Sequence, residues 1–268
     1  MTGRVLALAV AISAVVLGSA AATLGFSAAT NVERRACADR NATARDEVAA
    51  CTIVLNDPSD PSQHANAYHH RGIGYLRLWS LDRAIADFDA AIQLDPKFTY
   101  AYAARAFAYC SKGEHGRGME DVEQAIRLEP QSAEMIATRG SCNESKGAWE
   151  AALADFTAAI RLNPSKYQYY NSRADIYRDH DNERAALADY ASAIRLSPDN
   201  VASYRKRGSL FFDKNEFDSA LADYDMVIKL DPRDKTAYAA RAYLYEQKGD
   251  TARAVADLEQ AKKLGWKN

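Results

Sequence analysis

The stretch ANAYHHRGIGYLRLWSLDRAIADFDAAIQLDPKF, residues 65–98, carries the architecture of the chain in small. Tyr68, Gly72 and Tyr75 are separated by four and three residues, Ala84, Phe88 and Ala91 by four and three again, and Pro96 closes the run. Such steps place side chains on one face of an α-helix, so two short helices are predicted, with small residues where their backbones approach. The stretch then recurs. Prolines stand at Pro96, Pro130, Pro164, Pro198 and Pro232, a fixed period of 34 residues. Constant spacing of this kind marks one helical hairpin stacked on copies of itself.

Every register position supports the period. The first aromatic returns at Tyr102, Tyr170, Tyr204 and Tyr238, and the small residue at Ala106, Gly140, Ala174, Gly208 and Ala242. A second aromatic follows at Tyr109, Tyr177, Phe211 and Tyr245. Between the helices lie Gly113, Gly147, Asp181, Asn215 and Gly249, residues that tolerate the left-handed backbone ending a helix; Trp79 is the exception. Asp95, Glu129, Asn163, Ser197 or Asp231 precedes each proline, which bars the helical conformation there. An ionic series runs alongside. Arg71, Arg105, Arg139, Arg173, Arg207 and Arg241 are each followed sixteen residues later by Asp87, Asp121, Asp155, Asp189, Asp223 and Asp257. Pairing is expected either within a repeat or from one Asp to the Arg of the next.

Tyr68-x-x-Arg71-Gly72-x-x-Tyr75, then Ala84-x-x-x-Phe88, then Pro96, resembles the tetratricopeptide repeat family. The likeness covers about three quarters of the chain. It implies an all-α, right-handed α-solenoid of six helix-turn-helix repeats, at 65–98, 99–132, 133–166, 167–200, 201–234 and 235–268, preceded by an N-terminal half-repeat at 30–64. Isoleucine recurs at 92, 126, 160, 194 and 228, but the sixth copy has Lys262, and Trp266 stands where the proline would fall. Both changes read as a polar end cap.

Composition narrows the partners. Lys plus Arg is 34 and Asp plus Glu is 36, so no basic stripe for a phosphate backbone is expected. Residues 1–29 differ from the rest: Arg4 precedes an apolar run at 5–17, followed by Ala20-Ala21-Ala22 and Ser27-Ala28-Ala29. This reads as an export signal, the alternative being an uncleaved membrane anchor. Either reading puts the repeats in a periplasmic or secreted location. Four cysteines then allow three pairings. Cys37 and Cys51 flank the turn-rich Asn41-Ala-Thr-Ala44, so a disulfide across a helical hairpin is predicted, with two buried thiols as the alternative. For Cys110 and Cys142 a bridge and two free thiols both stay open.

The resemblance also implies where a partner binds, since the family lines its groove with the first helix of each repeat. By register the groove residues are Tyr100, Phe107, Glu144, Asn171, Asp175, Arg178, Arg205, Phe212 and Tyr243, apolar at the ends and charged in the middle. Such a surface suits an extended protein or peptide segment. The family's clamp for a C-terminal carboxylate needs Lys and Asn at positions this chain does not match. Catalysis finds no support: His69-His70 point about 100 degrees apart on a helix, and no phosphate loop or nucleophile elbow occurs. No cofactor or metal is expected. The sequence thus suggests a non-catalytic adaptor or assembly factor of the cell envelope. The alternative is a scaffold that self-associates through its last helix, at Val255 and Leu258.

Overall fold

A computed structural model describes residues 30–267, apart from 40, 58 and 59. The expected export segment, 1–29, lies outside the described residues. Among these there are fourteen α-helices, one 3-10 turn at Pro61–Gln63 and no strand. None of the described helices is long and apolar enough to cross a membrane. The chain divides into two compact units, residues 1–130 and 131–268.

The first unit holds α1 (Thr30–Cys37), α2 (Ala44–Leu55), α3 (His64–Arg77), α4 (Leu81–Leu94), α5 (Thr99–Ser111) and α6 (His115–Leu128). The helices α3 and α4 form one hairpin, α5 and α6 the next, and α1 with α2 packs ahead of them. A Cys37–Cys51 disulfide ties α1 to α2, and Cys37, Ala50, Cys51, Val54 and Ala67 form a small core around it. The predicted pairing is therefore present. No cysteine among the described residues is a free thiol.

The second unit is four further hairpins: α7 (Ala133–Ser145) with α8 (Trp149–Leu162), α9 (Tyr167–Asp179) with α10 (Glu183–Leu196), α11 (Val201–Asp213) with α12 (Phe217–Leu230), and α13 (Lys235–Gln247) with α14 (Thr251–Lys263). Each unit is thus an all-helical stack of consecutive pairs.

One turn closes all six hairpins. The second residue after the first helix donates its N–H to the carbonyl three back, and the next residue donates to the carbonyl five back, as in Gly113 to Cys110 at 3.0 Å and Glu114 to Tyr109 at 2.9 Å. This pair of hydrogen bonds satisfies two of the orphan carbonyls of the helix end and requires a left-handed residue. Trp79 obeys it too, with φ 56°, although it carries a side chain. A β-carbon in that region costs about 1–2 kcal/mol, and the indole is 69% exposed, so it returns little packing. Trp79→Gly is therefore expected to stabilise the protein by about 1 kcal/mol, read as a raised urea midpoint with unchanged slope. A lowered midpoint would show that the indole contributes packing the exposure does not suggest.

Size matching packs the hairpins. Gly72 faces Phe88 so closely that a β-carbon would lie 2.5 Å from the ring, and Gly140 meets Phe156 at 3.3 Å. Where the ring is replaced by Val122, the facing residue becomes Ala106. Helix approach and ring volume are thus traded in these pairs, while Ala174 accommodates the Tyr190 ring in another. Between repeats, the carboxylate or amide before the proline turns back on its own chain: Asp95, Asn163 and Asp231 accept the N–H two residues on, at 3.0, 3.2 and 3.1 Å.

Candidate functional site: the first-helix faces

The ionic series settles inside each repeat. Arg71 donates Nε and Nη2 to the two oxygens of Asp87 at 2.8 and 2.7 Å, and Arg105, Arg173, Arg207 and Arg241 hold Asp121, Asp189, Asp223 and Asp257 in the same bidentate way. Arg139 reaches Asp155 at 2.7 Å. All six carboxylates are buried. Planar two-point bonding suits guanidinium and carboxylate, and it neutralises each arginine within its own repeat. Hydrogen bonding to Asp87 and to Asp189 pushes the Arg71 and Arg173 pKa values further up, so both stay charged. The spare Nη1 reaches the preceding hairpin: Thr52 from Arg71, Asp89 from Arg105, Thr157 from Arg173 and Asp225 from Arg241. These arginines are seams rather than a ladder for an acidic guest.

In the first unit the open face of α5 is aromatic. Tyr100 is 45% and Phe107 is 42% exposed, two turns apart on one side of the helix. Beside them on α3, the His69 ring lies 4.9 Å from Phe98 and 5.9 Å from Phe88. Burial, with the neighbouring His70 charge, lowers the His69 pKa to about 4. Its folded value lies below its unfolded one, near 6.5. Its stability contribution is therefore complete above about pH 6.5 and is lost as pH falls toward about 4. Between about pH 7 and about pH 5 the imidazole is expected to remove about 2 kcal/mol, measured by urea unfolding, and His69→Gln to abolish that component. An unchanged pH slope in the variant would contradict the burial of a neutral ring.

In the second unit the same faces carry charge. Asp175 on α9 accepts the Tyr190 hydroxyl at 2.6 Å and also pairs with Lys206 of α11. Arg178 binds Asp179 at 2.9 Å and lies 3.8 Å from Asp175. Burial pushes the Tyr190 phenol up, and its bond to Asp175 adds to the shift. Glu144 of α7 is exposed and, among the described residues, its carboxylate makes no hydrogen bond or ion pair. Partial desolvation, followed by the charges of Asp175 and Asp179, raises its pKa despite Lys206 nearby. Phe212 of α11 and Tyr243 of α13 stack at 5.2 Å with a 46° tilt, and Tyr243 is 48% exposed.

Two expected groove residues take other roles. Asn171 is 7% exposed, because its Nδ2 donates to Ser203 Oγ at 2.8 Å, drawing the amide between α9 and α11. Arg205 pairs with Asp234, which caps α13 by accepting the Thr236 and Ala237 N–H groups at 2.9 and 3.1 Å. Register alone missed Lys206 and Tyr190. A hydroxyl signals the latter, since Phe88 and Phe156 occupy the same position in other repeats. Among the described residues no group of three or more His, Cys, Asp and Glu is set to hold a metal.

Known proteins share this pattern. Residues 145–201 and 236–264 match family models described as tetratricopeptide repeat, and residues 208–249 one described as TPR repeat. Over 48 residues the chain is 46% identical to mitochondrial import receptor subunit TOM70 of Rattus norvegicus, a match covering 18% of this chain and 8% of the receptor. Among solved structures, the APC/C hetero-tetramer Cut9-Hcn1 superposes with a TM-score of 0.66 at 18% identity, over 82% of this chain and 44% of that one. YrrB, a TPR protein with an unusual peptide-binding site, gives 0.52 at 19% identity, over 66% and 92%. At such identities the structural likeness concerns the fold. This chain spans less than half of the Cut9-Hcn1 chain it matches, and its alignment covers under a tenth of the import receptor.

Proposed function

Because this chain is a tetratricopeptide repeat protein, we propose that it is a non-catalytic adaptor or assembly factor, binding a protein or peptide segment along the first-helix faces of its hairpins. The observation that carries the reading is the exposure of Tyr100, Phe107 and Tyr243, large rings on helices whose other sides are packed. Aromatic side chains left open on a rigid face are the usual anchors of a bound partner. YrrB, with its peptide-binding site, and Cut9-Hcn1, an assembly of two kinds of chain, support the class of partner by analogy of fold.

The proposed setting is the cell envelope, reached by export or by an N-terminal anchor. The Cys37–Cys51 disulfide supports it, since such bonds persist where the surroundings are oxidising. Affinity capture from an envelope extract tests the adaptor reading. Specific prey held by the native chain are expected to fall at least about tenfold with Phe107→Ala and Phe212→Ala combined, as loss of two anchors implies. Equal recovery by both proteins would contradict it.

Val255, half exposed on α14 near Leu258, favours a second reading, self-association through that helix. Light scattering separates the two. A concentration-dependent mass that Leu258→Glu reduces to the monomer would support stacking, and a monomer in both proteins would remove it.

A further inference from the structure

We propose that the first-helix face of residues 131–268 receives a cationic segment, a Lys or Arg side chain lying against Glu144 and Asp179 with an apolar neighbour on the Phe212–Tyr243 pair. The inference rests on the adaptor reading and names the chemistry of its partner.

Charge complementarity carries it first. Around Glu144 stand three carboxylates, Glu144, Asp175 and Asp179, and two cations, Arg178 and Lys206. Both cations are paired with the aspartates, and three carboxylates against two cations leave the cluster one negative charge in surplus. Asp213, exposed at the end of α11, extends the negative surface towards Tyr224. Arg205 is held by buried Asp234, and Arg139, Arg173, Arg207 and Arg241 are each held by the buried aspartate of their own hairpin. An incoming ammonium or guanidinium would therefore meet an unmatched charge, whereas an acidic segment would meet repulsion.

A second observation concerns Asn171, which shares a face of α9 with Asp175 and Arg178, four and seven residues on. Its Nδ2 is committed to Ser203 Oγ, and Ser203 Oγ in turn donates to Asn200 Oδ1 at 2.8 Å. That chain of donation fixes which amide atom is the oxygen. Asn171 Oδ1 is then a buried acceptor with no donor among the described residues. Buried between α9 and α11, that oxygen marks a polar, incompletely satisfied seam behind the face rather than a contact on it. The carboxylate surplus on the open face thus asks for a donor carrying positive charge. The tilted Phe212 and Tyr243 rings, on the first helices of the next two hairpins, add an aromatic surface that favours an apolar side chain or a guanidinium plane.

The test uses the full chain and three fluorescein-labelled nine-residue peptides, one alternating Lys and Leu around a central Phe, and its Gln-for-Lys and Glu-for-Lys twins. Fluorescence anisotropy at physiological ionic strength is expected to give the Lys peptide an affinity at least about tenfold above the Gln twin, with the Glu twin weakest. Glu144→Gln combined with Asp179→Asn is expected to reduce that preference to about twofold or less. Glu259→Gln on α14 is expected to leave it unchanged, and thermal melts verify that each variant folds. No advantage for the Lys peptide, or an advantage that survives the double substitution, overturns the inference. If the Gln twin binds equally well and is lost with Phe212→Ala and Tyr243→Ala, the cationic preference fails while the adaptor reading stands. Absence of binding by all three also overturns the inference and leaves the adaptor reading to the capture experiment.

Discussion

Asp189→Ala is expected to lose about 3 kcal/mol of stability, because it strands the Arg173 guanidinium in a largely desolvated seam. Asp189 is 6% exposed and holds Arg173 at 2.7 and 2.9 Å. After the substitution only the Thr157 hydroxyl, at 2.9 Å from Nη1, remains to that cation. Arg173→Leu leaves the opposite charge uncompensated and is expected to cost a similar amount. The double variant, Arg173→Leu with Asp189→Ala, is expected to be more stable than the sum of the two losses predicts, with a coupling of about 1–3 kcal/mol. Urea unfolding of the four proteins closes the cycle. Small and additive losses would mean that water solvates both groups and that the seam contributes nothing.

Replacing Cys37 and Cys51 with Ala is expected to cost about 3 kcal/mol at the N-terminal end of the chain. The bond closes a separation of 14 residues and fixes an eight-residue helix, α1, too short to persist in isolation. Its loss is expected to open α1 and α2 together, since Cys37, Cys51, Val54 and Ala67 share one cluster. Hydrogen exchange followed by proteolytic mapping reads this directly: amides of 30–55 lose protection while α10 to α14 keep theirs. Peptide mapping without reductant gives an independent check. Alkylated thiols at both positions in the native protein would contradict the bridge.

The fold was legible because its instructions are local and repeated. Pro96 and its successors stop the second helix, Gly113 and its equivalents turn the first, and the Gly72–Phe88 size match sets how closely the pair packs. Trp79 shows the strength of the pattern, for the turn forms even where its residue type argues against it. The ionic pairing was half legible. A spacing of sixteen marks Arg71 and Asp87 as neighbours, but a second helix touches the first helices on both sides, so only coordinates choose the partner. The third guanidinium bond escaped sequence reading altogether, because Thr52, Asp89, Thr157 and Asp225 differ in type though not in role.

The binding face was harder to read. Register placed Asn171 on the right helix, yet a short amide one turn from Asp175 sinks to Ser203 instead of standing open. Lys206 lies one residue after Arg205 and points its charge to Asp175, while Arg205 reaches Asp234 in the next hairpin. A shift of one residue on a helix turns a side chain by about 100 degrees, and periodicity cannot say which of two adjacent cations faces the groove.

Site-specific photo-crosslinking in the native host tests the central claim, that this protein meets its partner through first-helix faces. A photoreactive phenylalanine analogue at Phe107 or Tyr243 is predicted to trap a discrete partner band. The same analogue at Leu94 or Leu162, exposed at the ends of second helices, is predicted to trap none. Bands of equal strength from both sets, or from the second helices alone, would contradict it.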